Sequence, residues 1–152
     1  MEAHTRKVCT FRLGPHLFGI DVGSMREVLE HWVITPVPLT PPCVLGVINL
    51  RGQIMMAIDL RRRLGIVGRE AGLGQVSLVA RPTDEHVAFV VDGVGDVLEV
   101  SEDQLEPPPE TLTGESRGVI LGVYKLPTQL ILVLDAVRAA DPGELPGHRS
   151  AP

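Results

Sequence analysis

The 152-residue chain is 44% hydrophobic and 22% charged, carries a formal net charge of −5, and contains 16 Gly, 13 Pro, 3 Phe, 1 Trp and 1 Tyr. That length and apolar content suit one compact unit with an aliphatic core and exclude a disordered or collagen-like chain. The many Gly and Pro exclude a bundle of long helices, and the abundant β-branched Val points to strands.

No apolar run reaches the roughly 18 residues of a membrane span; the most apolar stretch, 118–134, is broken by Lys125, Pro127 and Gln129. Residues 1–10 hold no apolar signal region, so a cytoplasmic location is expected, with Cys9 and Cys43 as buried thiols rather than a bridge. Residues 1–76 hold nine Lys/Arg against six Asp/Glu, and residues 77–152 five against thirteen. The eight acids and absent bases between Asp92 and Glu115 repel phosphate. Arg61-Arg62-Arg63, without interleaved aromatics, reads as a solvated element end, so no nucleic-acid partner is expected.

In chain order, Cys9, Phe11 and Leu13 alternate with polar residues, Gly14-Pro15 breaks the run, and Phe18, Ile20 and Val22 alternate again, which predicts an antiparallel pair. Ser24 and Glu27 form a capping-box pattern predicting a short helix over 25–30, with Met25, Val28, Leu29 and Trp32 as its apolar positions. Pro36, Pro38, Pro41 and Pro42 then hold the chain extended. Strands follow at 45–50 and 53–60, joined by a tight turn at Arg51-Gly52. A helical turn at 61–64 stopped by Gly65 and a loop over 67–75 complete the first half.

The second half runs in the same order. Strands are predicted at 76–81, 86–92 and 97–100, a second capping pattern at Ser101 and Gln104, a second proline tract at 107–109 and a second hairpin at 119–124 and 129–134. Shifting by 76 superimposes LGVINLRGQIMMAIDLRR (45–62) on LGVYKLPTQLILVLDAVR (121–138), with seven identities including Gly46/Gly122 and Asp59/Asp135. The expected fold is therefore mainly all-β: two small five-stranded β-barrel subdomains, pseudo-repeats at about 8–72 and 73–140, packed through a third apolar seam. Residues 141–152 are expected to be a disordered tail. Whether the first strand stays with its own copy or crosses to the other is left open.

No phosphate cradle, dinucleotide fingerprint, nucleophile elbow or metal-ligand spacing is present, and the five His are scattered. No cofactor and no metal are expected. Asp59 and Asp135 each precede a short helix as N-caps. Binding is then the expected trade, and the copies differ where Arg51-Gly52 in the first becomes Pro127-Thr128 in the second. A long cation on a rigid turn offers a fixed fork of donors to a carboxylate or carbonyl.

Phe18-Gly19-Ile20-Asp21, Val37-Pro38-x-x-Pro41 leading to Gly46-Val47-Ile48-Asn49-Leu50-Arg51-Gly52, Ile58-Asp59-Leu60-Arg61, and Val90-Val91-Asp92-Gly93-Val94-x-Asp96-Val97-Leu98 together resemble the CheW family of chemotaxis coupling proteins, from about Val8 to Arg138. The resemblance implies two five-stranded barrels, no catalysis, and an adaptor in a two-component pathway between chemoreceptor cytoplasmic tips and the regulatory domain of a CheA-type histidine kinase. It implies receptor contacts at Met25, Glu27, Val28, Arg51, Val94 and Val97, and a kinase-facing side around Gly46, Val47 and Asn49. It also implies a cytoplasmic protein that reaches membranes only through receptor arrays. Two other readings stand beside it: an adaptor of a non-flagellar chemosensory pathway serving surface motility or gene control, and a small enzyme with an acidic site in 92–115.

Overall fold

The computed structural model describes residues 4–66, 75–110 and 114–142, apart from the side chain of Glu115. Its strands are β1 (Thr5–Leu13), β2 (His16–Asp21), β3 (Met25–Leu29), β4 (Ile34–Thr35), β5 (Val44–Leu50), β6 (Gln53–Asp59), β7 (Val76–Ala80), β8 (Val87–Val91), β9 (Gly93–Ser101), β10 (Ile120–Lys125) and β11 (Leu130–Leu134). Two short helices, α1 (Leu60–Leu64) and α2 (Ala136–Ala139), follow β6 and β11. The all-β class and the hairpins expected at β1–β2, β5–β6, β7–β8 and β10–β11 are all found.

The strands form a five-stranded sheet, β10-β11-β2-β1-β9, and a six-stranded sheet, β3-β7-β8-β6-β5-β4, whose extra member is the two-residue β4. The first strand crosses over. The β1–β2 hairpin lies between β9 and β11, while β7–β8 lies between β3 and β6. Each sheet curls. Leu29 of β3 and Ile34 of β4, on opposite edges of the six-stranded sheet, share one apolar cluster with Ile48, Met55, Ala57, Val79 and Ala88. Val100 of β9 and Tyr124 of β10 likewise meet Val8, Ile131 and Val133 inside the other sheet.

The opposite faces of both sheets meet in a third and larger cluster. Along β2, Phe18 and Ile20 face this seam while Leu17 faces the barrel interior; along β11, Leu132 and Leu134 face the seam while Ile131 and Val133 face inward. This period of two is the alternation legible in the sequence. Phe11 and Phe18 oppose each other across β1–β2 and stack with centroids 5.6 Å apart, contributing about 1 kcal/mol beyond their burial.

Matched positions of the repeat carry matched geometry. A Cβ on Gly46 would run into the carbonyl of Thr35, and one on Gly122 would lie 2.5 Å from that of Glu106, each at a register shift in its strand. Asp59 accepts from Arg61 N–H at 3.0 Å and Asp135 from Arg138 N–H at 3.1 Å, the expected N-caps, and Gly65 ends α1 at φ 75°.

Four expectations need correction. Residues 25–29 are strand β3, not a helix. Asp21 caps a 3₁₀ turn at Val22–Ser24, Ser24 O accepts Arg81 N–H at 2.8 Å, and the Glu27 side chain goes elsewhere, so no capping box forms. At the second pattern Ser101 Oγ donates to Asp103 rather than capping the backbone, and β9 begins at Gly93, four residues earlier than expected. The arginine run is not simply solvated: Arg61 is largely covered where it pairs with Asp92, Arg62 reaches Pro42 O, and Arg63 reaches the carbonyls of Asp141 and Arg138. The loop at 67–75 and the tail at 141–152 fall almost entirely outside the described residues.

Candidate interaction surface

β3 and β9 each form one edge of their sheets, opposite β4 and β10, and both turn apolar side chains toward the seam. On β9, Val97 opposes Cys9 and Val94 opposes Phe11, and Cys9 and Phe11 both face the seam. Directly opposed residues share a face. Val94 and Val97 therefore share the seam face, although residues three apart point opposite ways in a regular strand. The register shift between their partners supplies the extra residue that restores the parity. β3 repeats the device: Met25 opposes Ala80 and Val28 opposes Leu78, both seam residues, across a register shift.

An i, i+3 apolar spacing thus arises from a bulged strand rather than a helix. Met25 packs partly into the seam, whereas Val28 (43%), Val94 (38%) and Val97 (56%) extend it into solvent.

Glu27 points the other way, opposite Val79, and forms an ion pair with Arg51. Arg51 sits at the β5–β6 tip with φ 51°, followed by Gly52 at φ 85°, the pair of positive values a type I′ turn requires. Asn49 Oδ1 accepts Gly52 N–H at 3.0 Å and fastens the turn. Asn or Gly normally fills the first central position, so an arginine there retains backbone strain of about 1 kcal/mol, as functional sites often do. The strand curl brings Glu27 and Arg51 together; three steps of about 4.8 Å would separate β3 from β6 in a flat sheet.

The kinase-facing expectation falls on β5. Asn49 is exposed, Val47 half-buried, and Gly46 is buried beneath β4, where it offers its backbone and no side chain.

Sequence reasoning missed the grip on β9. The Asp92 carboxylate is 8% exposed and accepts from Arg61 Nε at 3.0 Å, from Arg61 Nη2 at 2.6 Å and from Gly14 N–H at 2.6 Å. Its hydrogen bond with Asp92 raises the Arg61 pKa. The signal was present in Asp59-Leu60-Arg61 and Val91-Asp92-Gly93, but nothing local says that those two motifs touch.

Two of the described carboxylates in 92–115, Asp103 and Glu106, are engaged with neighbouring groups. Asp103 is held below the usual carboxylate range by the Ser101 hydroxyl, opposite to what a general acid needs, and Glu106 pairs with Lys125 at 3.2 Å. Cys9 and Cys43 are buried thiols, with burial raising the Cys9 pKa.

The chain matches the CheW-like domain family over residues 7–141. It belongs to that family. Among CheW-like relatives it is 32% identical over 130 residues to the chemotaxis protein CheW of Rhizobium meliloti, covering 86% of this chain and 84% of that one. It is 35% identical over 131 residues to the chemotaxis protein CheW of Thermotoga maritima, covering 85% and 83%. The crystal structure of the scaffolding protein TtCheW from Thermoanaerobacter tengcongensis superimposes with a TM-score of 0.79 at 30% identity, covering 86% of this chain and 89% of that one. CheW-like membership fits the two curled sheets.

Proposed function

We propose that this chain is a non-enzymatic chemotaxis adaptor that joins the cytoplasmic tips of chemoreceptors to the regulatory domain of a CheA-type histidine kinase. The observation that carries the reading is the exposed apolar set Val28, Val94 and Val97 on the seam faces of edge strands β3 and β9, together with the Glu27–Arg51 pair. Branched aliphatics give a helical tip an apolar bed, Met25 extends the bed into the seam, and the charged pair fixes orientation at the rim. Val47 and Asn49 on β5 meet the kinase, and Gly46 acts there through the backbone path it allows. The adaptor transfers no phosphate. It holds receptor and kinase in a fixed relation, in the cytoplasm, and associates with membranes only through receptor arrays.

Isothermal titration calorimetry against a receptor tip and, separately, against a kinase regulatory domain from the same organism tests this. Both should bind and form a ternary complex; absence of both interactions would overturn the reading. The family relation to proteins named for chemotaxis favours a chemotactic output over another chemosensory one.

A further inference from the structure

β9 begins where the chain passes from one sheet to the other. β8 ends at Val91 in the six-stranded sheet, β9 starts at Gly93 in the five-stranded sheet, and Asp92 is the single residue between. That residue is held from three sides. Arg61 comes from α1, Gly14 N–H from the β1–β2 turn, and Asp92 N–H itself donates to Arg12 O at 2.9 Å. The Arg61 side chain is only 11% exposed. An ion pair this enclosed gains from its bidentate geometry and fixes the placement of the groups around it.

A second hold lies at the bulge. Thr10, buried and polar, donates its hydroxyl to Asp96 O at 2.7 Å, and its Oγ1 occupies the space a Cβ on Gly95 would need, 2.5 Å away. Thr10 stands opposite the extra residue, between the pairs Cys9–Val97 and Phe11–Val94. The two holds bracket the stretch that gives Val94 and Val97 their common face. Loss of the bulge would turn one of these valines to the other side.

We propose that Arg61–Asp92 and Thr10 form a register lock on β9, making Arg61, Asp92 and Thr10 positioning residues for receptor docking through Val94 and Val97. The lock rests on the docking reading above, and its test separates the two.

Asp92→Asn keeps the shape and the acceptor for Gly14 N–H while removing the charge pairing; Thr10→Val keeps the shape and removes the hydroxyl. With the lock loosened, at least one variant should bind a chemoreceptor cytoplasmic tip about tenfold more weakly, equivalent to losing one buried valine contact. Binding to the kinase regulatory domain should stay within about twofold. Thr10→Ser, which keeps the hydroxyl, should restore tip binding. Wild-type tip affinity in both variants overturns the lock, and so does an equal loss for both partners, which marks general destabilisation.

Val97→Ala reports on the docking reading itself, since tip binding indifferent to that change removes it. The lock is then judged by cross-strand nuclear Overhauser contacts from Cys9 to Val97 and from Phe11 to Val94. Their persistence in both Asp92→Asn and Thr10→Val overturns it, and their loss in either variant supports it.

Discussion

Arg51 combines a strained backbone with an exposed side chain, and the two respond differently to substitution. Its guanidinium, 71% exposed, makes a surface ion pair worth less than about 1 kcal/mol to the fold. Its positive φ costs a comparable amount or more, which glycine would not incur. Arg51→Gly should therefore leave Tm unchanged or raise it by up to about 4 °C by calorimetry, while weakening receptor-tip binding in titration. Gly46 presents the reverse case, with φ 146° and the Thr35 carbonyl where a Cβ would stand. Gly46→Ala should cost about 3–5 kcal/mol by urea unfolding, because strained backbone and steric overlap act together. Any accompanying loss of kinase binding should then track the loss of fold, whereas Asn49→Ala should reduce kinase binding at a stability cost of only about 1 kcal/mol, that of the lost acceptor for Gly52 N–H.

At the level of elements, the hairpins were legible because period-two alternation and turn residues agree, as at Val44–Leu50, Arg51-Gly52 and Gln53–Asp59. The helical caps at Asp59 and Asp135 were legible for the same local reason. β3 was not. Its Met25/Val28 spacing is helical on paper, and only the pairing with β7 across a bulge makes it a strand, a long-range fact with no local marker. The candidate contact residues came from motif resemblance, and the geometry adds the seam face that Met25, Val28, Val94 and Val97 share. The Arg61–Asp92 contact was illegible in principle, since it spans 31 residues and depends on the parallel pairing of β6 with β8, which has no local marker.

For the whole molecule, the repeat in the sequence and the sheets in space divide the chain differently. β3 finds its ladder partner in β7, and β1 is flanked by β2 and β9, so each half completes a sheet begun by the other. Fragments 1–72 and 73–152 should each lack a cooperative thermal transition by circular dichroism, and mixing them should restore one. Independent cooperative melting of either fragment would contradict this.

The same exchange sets a schedule for biosynthesis. Thr5 waits for Ser101, and Leu17 for Ile131, before either has its neighbour. A ribosome adding about 5–20 residues per second leaves the leading hairpin with an open flank for several seconds. During that interval its bare edge can pair with the wrong strand, so the nascent chain, rather than the finished adaptor, is where aggregation threatens most.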